Sequence, residues 1–111
     1  MIEIAVKDHL QTGIYPPVYM EYPTDPPESF VVLRKTDSGR EDMLDTAMFV
    51  ADSYAPSLLK AAELNEQVKS AMDSLVTLSN VNASIRGGDY PFPDERNKRY
   101  RYQAVYNVTH Y

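Results

Sequence analysis

The chain contains no cysteine and no tryptophan among its 111 residues. Without cysteine, disulfides, thiolate metal sites and thiol catalysis are excluded. Only two histidines occur, His9 and His110. They form no i, i+4 pair and have no nearby helical carboxylate to complete a zinc site, so no metal is expected. Glycine is scarce, with four residues. The Gly-rich phosphate and dinucleotide loops and the G-x-S-x-G elbow are absent, so no cofactor-binding or catalytic residues are expected. No apolar stretch approaches the ~20 residues of a membrane span. The opening Met1-Ile2-Glu3-Ile4 lacks a signal-type basic and apolar region, so the chain reads as soluble, without a membrane partner. The sequons at Asn82 and Asn107 then read as chance matches. Positive charge is also in deficit: 11 basic against 16 acidic side chains give a net charge of −5. That balance argues against electrostatically driven nucleic-acid binding.

What is present is ordinary globular composition, 43% apolar and 24% charged. Residues 1–111 read as one domain, large enough to bury roughly 65% of its unfolded surface. Nine tyrosines against three phenylalanines suit half-buried sheets and subunit contacts, where the ring is covered and the hydroxyl stays paired or wet.

Ile2, Val6 and Leu10 make an apolar stripe that predicts a short helix over 2–11, with Gly13 as its stop. Five prolines between Pro16 and Pro27 forbid a regular central strand and leave only an edge strand near Val18–Tyr22. Phe30–Lys35 reads as a strand, Thr36-Asp37-Ser38-Gly39 as a turn with Gly39 at positive φ, and 43–54 as the central strand. Pro56 and Ser57 end that strand and cap a helix over 57–76. Its stripe of Leu58, Leu64, Val68, Met72 and Leu75 is expected to pack on Val32, Phe49, Ile85, Tyr102 and Tyr106. Val81–Arg86 alternates as a strand, 87–97 reads as a loop, and 98–109 gives the cleanest alternation in the chain. Tyr100, Tyr102, Ala104, Tyr106 and Val108 fall on one face of that last strand; Arg99, Arg101, Gln103 and Asn107 fall on the other. The implied class is α+β: a mostly antiparallel sheet of four to five strands with a long helix and a short N-terminal helix packed on it.

Two charge sets stand out. Glu41, Asp42 and Asp45 could hold magnesium or run acid–base chemistry, but after a turn they read as a solvated rim. Arg96, Lys98, Arg99 and Arg101 form the one basic concentration: residues 94–111 carry +2 against −7 for residues 1–93. Interleaved tyrosines could stack bases of a single strand, a remote alternative function. The alternation instead assigns the arginines to a solvent or interface face, where their planar forks pair with carboxylates. Pro93-Asp94 lacks the later acidic-x-Lys that a nuclease of that type needs.

Four segments in order resemble the small tail terminator, or tail completion, proteins of long-tailed bacteriophages. They are Val18–Pro23 with the Pro26–Val32 strand entry; Ala51-Asp52-Ser53-Tyr54-Ala55-Pro56-Ser57; the Ala61-Ala62-Glu63-Leu64 turn of the long helix; and Asp89–Asp94 with Arg101–Val108. The resemblance implies a non-enzymatic virion protein without cofactors. It implies a homohexameric ring at the head-proximal end of the tail, made in the host cytoplasm. The ring would stop tube polymerisation and serve head–tail joining. Its partners would be other copies of itself, the tail tube protein and the head connector, with DNA passing through unbound. A head–tail adaptor or a tube subunit is the alternative. A closed ring needs two different complementary surfaces on one subunit. The acidic and basic sets are the candidates for these. Tyr90 and Phe92, within the irregular segments 16–29 and 87–97, are candidates for contacts with the tube or connector.

Overall fold

The computed structural model of the protein describes all residues 1–111. Helix α1 (Ile2–Gly13) leads to a two-residue strand β1 (Val18–Tyr19), then the long hairpin β2 (Phe30–Glu41) and β3 (Leu44–Ala55). Helix α2 (Leu58–Asp73) follows, extended by a 3-10 turn (Ser74–Thr77), then strands β4 (Val81–Pro91) and β5 (Tyr100–His110). The five strands lie in the order β1-β2-β3-β5-β4, with β3 at the centre. Only β1 runs parallel to its neighbour; every other pair is antiparallel. The expected α+β class and mostly antiparallel sheet are therefore what the chain adopts.

Both helices cover one face of the sheet. The Ser57 hydroxyl accepts from the Lys60 amide and starts α2, as its N-cap position predicts. From α2 and the turn after it, Leu64, Val68, Met72 and Leu75 enter a core with Val31, Leu33, Ala47, Phe49, Ala104, Tyr106 and Val108. Val6 and Leu10 of α1 join the same core. Gly13 lets α1 approach α2 closely; a Cβ there would stand 3.1 Å from that of Ala71. Ion pairs fasten the rim: Glu3 with Lys35 at 3.0 Å, and Lys69 with both Glu66 and Asp89 at 2.9 Å. The buried Tyr106 hydroxyl donates to Asp73 at 2.8 Å and accepts from Arg86 Nε at 3.0 Å. Burial pushes this phenol up to about 12.

Four details depart from the sequence expectation. Leu58 is 46% exposed and Ile85 64% exposed, because Leu58 begins α2 at its open end and Ile85 points away from the helices. Val32 is buried, but on the helix-free face with Phe30 and Tyr54, and Tyr102 is only half-buried. Thr36–Gly39 is no turn. Strand β2 absorbs Thr36 as an irregularity between Lys35 and Asp37 and continues to Glu41, and no glycine has positive φ. The actual reversal is Asp42-Met43, with φ of 48° and 70°, a two-residue loop of the I′ type. Likewise Gly87–Pro91 is strand, not loop: β4 takes up Gly87 as a second irregularity and stays paired to Pro91.

The molecule measures 42 × 24 × 24 Å. Twelve-residue strands of about 3.3 Å per residue span that long axis. Segments 20–29 and 92–99 and the β3–α2 junction therefore gather at one pole. The Asp42-Met43 turn, the connection 74–80 and Tyr111 gather at the other.

Candidate functional site: two unlike poles

At the loop pole, the helix-free face carries an aromatic cluster. Phe30 and Tyr54 stack at 4.6 Å with planes 6° apart, and Tyr22 meets both edge-on at 5.5 Å. Cross-strand pairing of Phe30 with Tyr54 puts the rings together, and the 20–29 segment folds Tyr22 over them. Such pairs contribute about 0.5–1.5 kcal/mol each beyond area burial.

Arg99 and Arg101 work within this pole. Arg99 Nη2 donates to the carbonyls of Pro27 and Glu28 at 3.0 and 3.1 Å, and its guanidinium lies 5.2 Å from the Phe30 ring centre. One side chain thus staples the 20–29 segment to the 92–99 segment. Arg101 donates from Nε to the Phe92 carbonyl at 2.7 Å and from Nη1 to the Tyr54 hydroxyl at 3.2 Å, and lies 4.4 Å from the Phe92 ring centre. Arg101 does lie on the face opposite the helices, as the alternation predicts, but Arg99 precedes β5 and is not part of it. Arg96 and Lys98 are the exposed members of the basic set, and neither forms an ion pair.

Asp94 locks the second loop. Its carboxylate accepts from the Asn97 amide at 3.1 Å, Asn97 Nδ2 at 2.8 Å and the Tyr54 hydroxyl at 3.2 Å. Burial alone would raise its pKa. The Asn97 hydrogen bonds, the Arg101 charge and the Tyr54 hydroxyl outweigh that and hold it below the ordinary 3.8. A depressed carboxyl stabilises the fold above its unfolded value, and that contribution disappears as pH falls through the lower folded value. Acidification below about pH 4 is therefore expected to loosen segment 92–99. Amide exchange of Asn97 and Arg99 as a function of pH checks this. An Asp94→Asn variant should show the loosened exchange at neutral pH.

Tyr90 and Phe92 pack together at 6.2 Å and remain partly exposed beside this cluster. The Tyr90 hydroxyl donates to Gln103 Oε1 at 2.6 Å. Gln103 Nε2 donates to Asp52 Oδ1 at 2.9 Å, and Arg34 pairs with Asp52 Oδ2 at 3.0 Å. This chain of polar groups crosses four strands of the helix-free face. Sequence reading missed Asp52, Gln103, Tyr54 and Asp94. A carboxylate, Asp52, directly after the apolar run Ala47–Ala51 of the central strand was the available signal.

At the opposite pole, Glu41, Asp42 and Asp45 surround the β2–β3 turn. Asp45 stands 4.0 Å from Arg40; Glu41 and Asp42 have no ion-pair partner. Met43 at the tip is 82% exposed. No group of three or more His, Asp and Glu side chains gathers in metal-binding geometry. His9 Nε2 lies 2.7 Å from the Ser74 hydroxyl, which itself donates to the Ala71 carbonyl. The imidazole is then the donor to the hydroxyl, a tie between helices and not a base activating a nucleophile.

The acidic and basic sets are thus not neighbours. They stand at the two ends of one 42 Å axis. Neither a protein-family model nor a curated protein matches this chain.

Proposed function

We propose that the chain is a structural subunit that assembles head to tail with itself into a ring, a homohexamer. The ring caps the head-proximal end of a phage tail tube, stops tube growth and presents the surface to which the head connector attaches. The observation that carries this reading is that the two poles differ: a tight acid-flanked turn tipped by an exposed methionine at one end, and at the other two irregular segments with exposed aromatics and unpaired groups of both signs, Arg96 and Lys98 beside Glu28 and Glu95. A self-complementary dimer would place matching groups on one patch. A closed ring requires two different patches on each subunit.

The resemblance of the four segments to tail terminator proteins supplies the setting. A six-membered ring would carry a formal charge of −30, six times −5. A lumen of that sign repels phosphate and lets DNA pass without adhesion. Tyr90 and Phe92 contact the tube or the connector, since Tyr and Phe give broad contact area at low rotamer cost.

Deleting the coding sequence from the phage that carries it tests the role. Electron microscopy is expected to show tails of irregular, often excessive length, unjoined to filled heads. Normal tails joined to heads overturn the reading. Absence of any tails would assign the chain to the tube itself.

A further inference from the structure

The loop pole carries an open cleft. That cleft, of about 330 Å³, lies between the start of α2 and segment 93–100. Leu58, Pro93 and Tyr100 line it, together with two acids, Asp94 and Glu95, and two cations, Lys98 and Arg99. Leu58 is 46% and its neighbour Leu59 70% exposed, so apolar surface is left open at the first turn of a helix. A volume near 300 Å³ is at the lower end of specific binding sites, enough for one or two side chains and not for a large cofactor.

The Asp42-Met43 turn has the complementary chemistry. Both residues have positive φ, a geometry for which Asn-Gly is the favoured pair. Met43 sits where glycine would be unstrained, and its side chain is 82% exposed. In an isolated subunit it gains nothing from either. A thioether chain is well suited to filling an irregular apolar cleft. Glu41 and Asp42, flanking it, lack ion-pair partners, as do Lys98 and Glu95 of the cleft lining and Arg96 between them in the chain. The tip cannot reach the cleft of its own chain, because the two stand at opposite ends of a 42 Å molecule.

We infer that the occupant of the Leu58–Pro93–Tyr100 cleft is the β2–β3 turn of a second copy of this chain, with Met43 inserted and Glu41 and Asp42 set against Lys98 and Arg96. The contact rests on the ring reading and names where neighbouring subunits touch. It is heterologous, so it repeats from copy to copy until the ring closes.

The absence of cysteine makes the test clean. Met43→Cys and Pro93→Cys chains are purified separately, mixed at high concentration and treated with a short bis-maleimide. The mixture is expected to give a covalent dimer well above either chain alone and above a Met43→Cys with Ser79→Cys control. Arg96→Glu with Lys98→Glu in the Pro93→Cys chain should suppress it, and Glu41→Lys with Asp42→Lys in the Met43→Cys chain should restore it. Met43→Gly should shift two measurements in opposite directions. Its melting temperature in dilute solution rises as the turn is relieved, while association in concentrated solution is lost. A mixed pair that links no better than the control overturns the contact, as does a Met43→Gly chain that associates like the parent. Linked dimer together with normal tails in the deletion strain keeps the contact and removes the tail role. Irregular tails without linked dimer do the reverse.

Discussion

A Val68→Asp variant is expected to lose about 3–4 kcal/mol of stability, a large fraction of the roughly 5–15 kcal/mol that holds a domain folded. Val68 is fully buried at the middle of α2. It faces the strand core of Phe49, Ala104 and Tyr106, where no cation waits for a carboxylate: the nearest buried cation on the helix, Lys69, is already held by Glu66 and Asp89. The introduced group must either stay charged and unpaired or take up a proton, and both cost stability. Val68→Thr separates polarity from shape. It keeps the volume and buries one hydroxyl, and should cost about 1–3 kcal/mol. Denaturant melts of the three chains decide the matter. A Val68→Asp chain with the parent's midpoint would remove α2 from the core.

The second large effect is expected at Tyr54. Tyr54→Ala should cost about 3–5 kcal/mol, the range for truncating a large buried aromatic. Tyr54 stacks on Phe30, meets Tyr22 edge-on, donates to Asp94 and accepts from Arg101. It therefore touches both irregular segments of the loop pole, which Arg99 also ties together. Its loss should raise amide exchange in 20–29 and 92–99 together while the helix-side core around Val68 stays protected. Tyr54→Phe keeps the stack and removes only the hydroxyl, at about 1–2 kcal/mol, because Asp94 is left short of a buried partner. Burial pushes the Tyr54 hydroxyl up to about 12. Its contribution is thus complete below the unfolded value of 10 and declines as pH rises through about 12, a dependence the phenylalanine variant should lack. Unchanged exchange in both segments of Tyr54→Ala would mean that they are held by Arg99 and Asp94 alone.

The elements that were legible in the sequence are those written in local periodicity. The alternation of Tyr100 to Val108 and the 3.6-residue spacing of Leu64, Val68 and Met72 are properties of neighbours along the chain, and both elements form where expected. The proline cluster likewise reduced the 16–27 region to one short edge strand. The misreadings share a cause. Thr36–Gly39 and Gly87–Pro91 have turn composition, yet each lies opposite a long regular partner, Met48–Thr46 in β3 and Val105–Tyr102 in β5. Ladder hydrogen bonds to that partner outweigh local preference, and each segment is brought into register by one extra residue, Thr36 in β2 and Gly87 in β4.

The candidate site follows the same division. Composition and order along the chain determined that acidic and basic sets exist, that 90–92 is aromatic, and that Arg101 lies opposite the helix face. Tertiary structure alone decided that the two charge sets stand at opposite poles, because pole membership depends on which strand ends coincide. It also decided that Arg99 turns inward, onto carbonyls 72 and 71 positions earlier, because β5 pairs with β3 and so brings residue 99 beside the start of β2. Periodicity assigns a side chain to a face; only the long-range pairing of strands determines what waits for it there.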